Sequence, residues 1–328
     1  SRKAGQPLTQ ERLKSRLKSA LASREALFDD HCYRWVYGDS DGLPGLVIDR
    51  FGDVIVVQVS NAGIELLLEA LLAAINELLL GLNILLKNDG KMRAIEGLDE
   101  YVRVAQGDVP KLVPLKENGV SFLAPVWDGQ KTGWFYDHRL NRRRVQKLSA
   151  GKRVLDIFSY IGGWGIQSAA AGAKEVICVD ASAPALDLVH QQAELNGVAD
   201  KVHSLRGDAF AAMKQLHEDG ERFDVVIIDP PAFIARRKDI KAGELAYQRA
   251  NQLAMRLLTP EGILVSASCS MHLERTRLTQ LLQEACRKNG RNGQVLEQGG
   301  QGGDHPIHPA IPETDYLKSV ILRTWYED

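Results

Sequence analysis

The chain has 328 residues, of which 45% are hydrophobic and 25% charged, and its formal net charge is −1. This is the composition of a globular protein of about two domains, and its charge balance excludes general attraction to nucleic acid. No apolar run reaches the roughly 20 residues that a membrane-spanning helix needs.

The first part of the chain predicts a helix followed by a small α+β domain. Leu13, Leu17 and Leu21 follow helical spacing and indicate a helix over residues 8–28. A second helix is predicted over residues 64–80, among short β-type runs that turn signals separate. The predicted strands cover residues 33–37, 46–48, 54–59, 84–87, 112–115 and 120–124.

From residue 150 onward the pattern alternates between strands and helices, which predicts a parallel, doubly wound α/β sheet. The Gly-rich residues 289–304 predict a loop, and residues 319–325 predict a final strand. A helix over residues 137–148 leads into strands over 153–158, 175–179, 201–205, 224–228 and 262–266, with helices over 165–171, 184–196, 210–217 and 243–258 between them. We therefore predict a linker helix over residues 1–29, a small α+β domain over 30–130 and a ligand-binding α/β domain over 131–328.

Two segments are basic although the chain as a whole is not. Residues 2–24 carry seven Lys or Arg against one acid, and residues 138–153 carry seven with no acid. Local basic patches can bind phosphates, so Arg142, Arg143 and Arg144 predict a contact with RNA. The alternative is a solvated helix face.

A glycine-rich turn follows the first strand of the α/β domain, where doubly wound sheets bind ligands. Asp156 lies before the turn, and Asp180 and Asp208 end the next two predicted strands. A phosphate gains nothing from Asp156, whereas the ammonium and sulfonium groups of S-adenosylmethionine do. Asp180 suits the ribose hydroxyls, and Asp208 the adenine amino group. Each acid alone is more often a cap or turn residue, but together they favour S-adenosylmethionine over the dinucleotide that the GxGxxS pattern at residues 163–168 suggests.

The fourth strand of this domain ends in the sequence Asp229-Pro230-Pro231-Ala232-Phe233. Two prolines make a stiff, extended exit from a strand. They would hold the Asp229 carboxylate and the Phe233 ring against a flat substrate such as a nucleobase. A simple loop is the alternative interpretation.

Cys269 follows the fifth strand and is predicted to lie at the same sheet edge as Asp229. Carbon 5 of a pyrimidine is a poor nucleophile, but addition of a thiolate at carbon 6 turns the ring into an enamine that can attack a sulfonium methyl group. The alternative is a buried structural cysteine, the role that we assign to Cys32, Cys178 and Cys286. The cysteines are far apart without a CxxC pair, which argues against zinc and disulfides and favours a reducing cytoplasm.

The sequence resembles the ribosomal RNA large subunit methyltransferase I family, which methylates cytosine C5 in 23S rRNA. The resemblance runs over nearly the whole chain. It is carried by residues 33–50, including Asp41-Gly42-Leu43-Pro44-Gly45-Leu46, and by residues 128–133, 137–139, 158–165, 229–233, 268–270 and 304–306. It implies a class I S-adenosylmethionine-dependent methyltransferase domain with a Rossmann-like sheet, preceded by the small α+β domain.

The resemblance also implies which residues act. Cys269 and Asp229 would be catalytic, and no metal is expected. The cofactor would be held by Asp156, Phe158, Ser159, Gly162, Gly163, Asp180, Ala181, Asp208, Ala209, Asp229, Pro230, Lys131 and Arg139. The expected partner is ribosomal RNA, with a homodimer left open and no membrane contact.

The sequence departs from the family in two ways. The family has an N-terminal PUA RNA-binding domain, and the residues before position 30 are too few for one. Ala232 stands where the best-known members have Lys, and where related cytosine-5 RNA methyltransferases often have a second cysteine. The alternatives are methylation of a base nitrogen and, in another class, a non-catalytic RNA-binding assembly factor.

Overall fold

A computed structural model describes residues 8–326 of the chain. These residues form two compact units. Unit 1 comprises the residues up to 117 together with 122–137 and 302–314, and unit 2 comprises 118–121, 138–301 and the residues from 315 onward. Within residues 8–326, no helix is both long enough and apolar enough to cross a membrane.

Unit 1 is built on a five-stranded sheet in the order β1-β2-β3-β4-β5, in which only β3 and β4 are parallel. Leu13 and Leu17 of the first helix are fully buried, together with Trp35, and the predicted helical spacing is confirmed. The elements are α1 (Gln10–Glu25), β1 (Cys32–Tyr37), β2 (Leu46–Phe51), β3 (Val54–Val59), α2 (Ala62–Glu65), α3 (Leu68–Leu78), β4 (Asn83–Asn88), α4 (Met92–Ile95), β5 (Tyr101–Gln106) and the hairpin strands β6 (Leu112–Glu117) and β7 (Val120–Pro125).

Asp41 and Asp304, two acidic residues from the sequence motifs, accept hydrogen bonds that connect segments of unit 1. Asp41 accepts hydrogen bonds from the guanidinium of Arg24, at 2.6 and 2.8 Å, and from the backbone N–H of Tyr37. Asp304 accepts a hydrogen bond from the backbone N–H of Arg34 at 3.1 Å and is fully buried. Because buried polar groups need such partners, these motif residues have a structural explanation within this unit.

Unit 2 contains the doubly wound sheet, and the predicted α/β class is confirmed. Its seven strands have the order β10-β9-β8-β11-β12-β14-β13, with β8 to β12 parallel and β14 antiparallel to both of its neighbours. The elements are α5 (Arg139–Ser149), β8 (Arg153–Ile157), α6 (Gly163–Ala170), β9 (Glu175–Asp180), α7 (Ala183–Leu195), β10 (Val202–Arg206), α8 (Ala209–Glu218), β11 (Phe223–Ile228), α9 (Ile240–Arg256), β12 (Leu258–Ser268), α10 (Arg275–Lys288), β13 (Arg291–Gly299) and β14 (Lys318–Tyr326).

The loop predicted over residues 289–304 is wrong, because most of it forms β13. This strand pairs with β14 from Arg291, opposite Tyr326, to Gly299, opposite Ser319. Glycine has a low preference for strands, but a neighbouring strand that offers a full set of hydrogen-bond partners outweighs that preference. The sequence analysis also did not identify α10, β5 or the short α4.

Candidate active site

The turn between β8 and α6 is the most strained backbone in unit 2. Phe158 and Tyr160 have φ values of 65° and 50°, in the left-handed region that non-glycine residues rarely occupy. The backbone N–H of Ser159 ties the turn to β9 by donating to the carbonyl oxygen of Val179 at 3.0 Å. Strain of this kind costs on the order of 1–3 kcal/mol per residue and is typical of ligand-binding turns.

Asp156 lies beneath this turn and is fully buried. One carboxylate oxygen, Oδ2, accepts a hydrogen bond from the backbone N–H of Gly165 at 2.9 Å. Burial raises the pKa of Asp156 to about 7, and the nearby charges of Asp229 and Asp180 act in the same direction. In the part of the chain that the structure describes, Oδ1 of Asp156 has no hydrogen-bond partner. A buried acceptor of this kind fits the ammonium group of S-adenosylmethionine, as the sequence analysis expects.

Gly165 allows α6 to lie directly on the sheet. A Cβ atom at this position would lie 2.5 Å from Sγ of Cys178 on β9, which is closer than any real contact. The glycine is therefore required for helix-to-strand packing beneath the turn. Gly162 has a φ of 83° and is the residue that permits the chain to enter the helix.

Asp180 at the end of β9 is oriented by two backbone amides. Its Oδ2 accepts from the N–H of Tyr160 at 2.9 Å, and its Oδ1 accepts from the N–H of Ser182 at 2.8 Å. The carboxylate is half-buried, and each oxygen keeps lone-pair capacity for a further donor. A pair of ribose hydroxyls is a donor set that suits this geometry.

Asp180→Ala is expected to weaken S-adenosylmethionine binding by about 1.5–3 kcal/mol, the range for a hydrogen bond to a charged group. Isothermal titration calorimetry of the purified variant measures this directly. Asp187→Ala, an exposed acid on α7, removes the same charge and should bind as the wild type does. Unchanged affinity in Asp180→Ala would refute the ribose assignment.

Asp208 occupies the corresponding position after β10. It caps the N-terminus of α8, where its Oδ1 accepts from the backbone N–H of Ala211 at 2.9 Å. Its side chain is exposed, and the cap uses only one of its two oxygens. The capping interpretation weighed for a lone acid therefore applies to Asp208, while its second oxygen suits the predicted contact with an adenine amino group.

Asp229 at the end of β11 is anchored by two side chains that the sequence analysis did not single out. The indole Nε1 of Trp164 donates to its Oδ2 at 2.9 Å, and Nε2 of His138 lies 3.2 Å from its Oδ1. The two rings also contact each other, with centroids 5.0 Å apart. Both Trp164 and His138 are more than nine-tenths buried, so the carboxylate is held in one orientation. Trp164 lies among the glycines at residues 162–165, and an aromatic N–H at that place was the sequence signal that could have identified it as a partner of Asp229.

Cys269 follows β12 in a short segment fixed by a hydroxyl network. The hydroxyls of Ser268 and Ser270 each lie 2.8 Å from the hydroxyl of Tyr247 on α9. Ser270 Oγ also accepts from the backbone N–H of Ile234 at 3.1 Å, which ties this segment to the exit of β11. All three network side chains are buried, whereas Cys269 between them is partly exposed.

The exit of β11 and Cys269 come together as the sequence analysis expects. Sγ of Cys269 lies 4.0 Å from the carbonyl oxygen of Pro230, the residue after Asp229. Cys32, Cys178 and Cys286 are buried, and burial raises the pKa of the Cys178 and Cys286 thiols. A partly exposed thiol at the exit of the strand that carries Asp229 is an arrangement that can perform nucleophilic catalysis.

Phe233 packs within a cluster of rings. Its centroid lies 6.2 Å from those of Phe158 and Phe210 and 4.9 Å from that of Tyr247. These contacts fix the orientation of the ring, which stays partly exposed, as the predicted wall for a flat substrate requires.

The other predicted cofactor residues are divided between the units. In unit 2, Gly163 begins α6, Ala181 follows Asp180, Ala209 begins α8, and Ser159 is buried, with an Oγ that lacks a partner among residues 8–326. Arg139 is buried at the start of α5. Lys131 belongs to unit 1, where its Nζ lies 4.7 Å from the centroid of the Phe135 ring.

The predicted cluster of three phosphate-binding arginines needs correction. Arg142 is buried, and its charge lowers the pKa of Asp156. Arg144 is half-buried and forms an ion pair with Glu297. Only Arg143 and Lys147 on α5 are exposed cations of the kind that the phosphate hypothesis requires. Helical periodicity distributes consecutive arginines over different faces, which a count of charges does not resolve.

Comparison with known proteins gives a consistent result. A family model for S-adenosylmethionine-dependent methyltransferases matches residues 98–289. Ribosomal RNA large subunit methyltransferase I of Aeromonas salmonicida is 40% identical over 313 residues, which cover 94% of this chain and 79% of that protein. The protein of the same name from Erwinia tasmaniensis is 38% identical over 309 residues, covering 94% and 77%.

Solved structures support the fold at lower identity. SMU.776, assigned as a methyltransferase and complexed with SAH, superposes with a TM-score of 0.85 at 21% identity over 97% of this chain and 82% of that one. Trm5b from Pyrococcus abyssi gives a TM-score of 0.62 at 17% identity, over 85% and 75%. These likenesses concern the fold alone.

Proposed function

Because the chain belongs to the ribosomal RNA large subunit methyltransferase I family, we propose that it methylates carbon 5 of a cytosine in 23S rRNA with Cys269 as the nucleophile. Family membership makes it an S-adenosylmethionine-dependent rRNA methyltransferase. The observation that carries the cytosine proposal is the partly exposed Cys269, whose Sγ lies 4.0 Å from the Pro230 carbonyl at the exit that begins with Asp229.

The strand ends of unit 2 provide a binding site that fits the cofactor. S-adenosylmethionine supplies an electrophilic methyl group on a sulfonium. Asp156 would bind its ammonium group, Asp180 its ribose and Asp208 its adenine, while the turn from Phe158 to Gly162 would line the methionine end. Oδ1 of Asp156, which has no hydrogen-bond partner among residues 8–326, and the two backbone-oriented oxygens of Asp180 support this assignment.

Cys269 would activate the base. Its thiolate adds to carbon 6 of the cytosine and leaves an enamine, whose carbon 5 is nucleophilic enough to accept a methyl group. The bond to sulfur breaks when the proton on carbon 5 is removed, which regenerates the aromatic ring. Ala232 provides no second thiol for that step.

Asp229 would orient the cytosine and take part in the proton transfer. The hydrogen bond from Trp164 and the contact with His138 leave the carboxylate with a fixed direction, so that a base in the site meets it in a single geometry. His138 is in addition a group that can accept a proton from Asp229 across 3.2 Å. The geometry therefore supports a carboxylate, assisted by an imidazole, as the base in this single-cysteine site.

The RNA partner is expected to contact the exposed cations of α5, Arg143 and Lys147. A positive helix face that presents these two side chains suits a phosphate backbone. The 23S molecule as target and a homodimer as assembly state stay predictions.

RNA carrying 5-fluorocytosine at the target position is expected to trap a covalent complex with the protein. Fluorine cannot leave as a proton, so the methylated ring stays bound to sulfur. Denaturing electrophoresis detects the complex, and peptide mass spectrometry locates it at Cys269. The matched control is unfluorinated RNA, which should be methylated and released. If the enzyme methylates the control RNA but forms no complex with the fluorinated RNA, the result would indicate that a base nitrogen is the target.

Two other functions are less well supported. Methylation of a base nitrogen needs no cysteine, so it would not explain why a hydroxyl network fixes the segment that carries Cys269. A non-catalytic RNA-binding factor would have no use for acids at four successive strand ends.

A further inference from the structure

Lys318 is a buried cation beside the segment that carries Cys269. It begins β14, where it pairs with Ser268 across the antiparallel ladder, and its side chain is only 3% exposed. Its Nζ donates to the carbonyl oxygen of Ser270 at 2.6 Å and to that of Tyr316 at 2.8 Å. The ammonium is thereby held against the peptide that follows Cys269.

A buried lysine requires an explanation, because removing an ammonium from water is costly. Burial lowers the pKa of Lys318 to about 8, which still leaves the group largely protonated at pH 7. The two carbonyl contacts use two of its three N–H donors. These two hydrogen bonds therefore explain only part of why the Lys318 ammonium is buried at this position.

Asp315 and Cys269 are the two groups capable of negative charge that act on the pKa of Lys318. Asp315 and the Cys269 thiolate favour the protonated lysine, and Arg275 on α10 opposes it. Tyr247 on α9 bonds to Ser268 and Ser270, and burial raises the pKa of its phenol, so that side of the segment is uncharged.

We propose that Lys318 is a positioning residue whose positive charge stabilises the Cys269 thiolate. Coupling between two ionisable groups is reciprocal, so a thiolate that favours the ammonium is itself favoured by it to the same extent. This inference rests on the proposed role of Cys269 as the nucleophile.

Alkylation of Cys269 by iodoacetamide, without RNA or cofactor, tests the charge directly. The rate is followed from pH 6 to pH 10 by mass spectrometry of the Cys269 peptide, since the other three cysteines are buried. Lys318→Gln keeps N–H donors for both carbonyl oxygens but removes the charge, and Lys318→Arg keeps the charge. We expect Lys318→Gln to move the midpoint of the pH profile up by about one unit and to lower the rate at pH 7 about tenfold, with Lys318→Arg close to the wild type.

Lys214→Gln on α8 is the matched control, because it removes an exposed lysine and should leave the profile unchanged. A Lys318→Gln profile that coincides with the wild-type profile would overturn the proposal and leave Lys318 with hydrogen bonding alone. If the Lys318 variants do not fold, the midpoint of the wild-type pH profile for Cys269 alkylation tests the proposal instead. A value below the roughly 8.5 of a free cysteine supports the proposal, and a value at or above it refutes the proposal. Failure of the cysteine mechanism itself would be detected by a different experiment, in which the Cys269→Ala variant still methylates rRNA.

Discussion

Cys269→Ala is expected to lower the rate of methyl transfer to rRNA at least about 1,000-fold, which corresponds to about 4 kcal/mol in the activation barrier. Without addition of a thiolate, carbon 5 of cytosine does not become nucleophilic, and no other described group near the β11 exit can replace the sulfur. The substitution removes one atom from a partly exposed position, so the fold and S-adenosylmethionine affinity should be retained. Single-turnover transfer of a radiolabelled methyl group measures the rate, and calorimetry measures the affinity.

Cys32→Ala is the matched control, because it removes a sulfur from β1 in unit 1 and should leave the rate unchanged. Methylation by Cys269→Ala at a rate within tenfold of the wild type would exclude the cytosine-C5 mechanism. The product of that variant, identified by nucleoside mass spectrometry, would then reveal whether a base nitrogen is the acceptor.

Asp229→Asn is expected to lower kcat about 100-fold or more, the range for loss of a group that transfers protons. Asparagine keeps an oxygen that can accept the hydrogen bond from Trp164, so the geometry should change little while the negative charge disappears. The affinity for S-adenosylmethionine should fall much less than kcat. Rapid-quench kinetics under saturating RNA and cofactor separates the two quantities.

Two further variants define what the Asp229 result means. Asp219→Asn removes an exposed carboxylate at the end of α8 and should be indistinguishable from the wild type. Trp164→Phe keeps the aromatic ring but removes the N–H that holds Oδ2, so it should lower kcat less than Asp229→Asn does. A normal kcat in Asp229→Asn would remove Asp229 from the chemistry.

The sequence was most informative where local chemistry and topology coincide. Asp156, Asp180, Asp208 and Asp229 were placed at the ends of successive strands, and the structure has them within β8, β9, β10 and β11 or at most two residues after them. Parallel strands bring their carboxyl ends to one edge, so correct strands were enough to assemble these residues. Their predicted contacts with the cofactor stay predictions.

The rest depended on tertiary partners that a single sequence does not reveal. The burial of Arg142 depends on which face of α5 packs inward, and Lys318 was unremarkable until β14 paired with β12. The strand over residues 291–299 was missed because its glycines favour a loop until a neighbour is present. By contrast, the leucines of α10 at 278, 281 and 282 carried a helical signal that was available.

The place of β14 in the sheet means that the sheet of unit 2 is completed last during synthesis. β14 lies between β12 and β13, yet 58 residues separate Ser268 at the end of β12 from Tyr326. At the ~5–20 residues per second of translation, these residues take roughly 3–12 s to add. For that interval β12 has one open edge, which other chains can pair with, and Lys318 is not yet beside Cys269. Completion of the sheet would thus cover the open edge of β12 and, if Lys318 acts as proposed, would bring its charge to Cys269 at the same step.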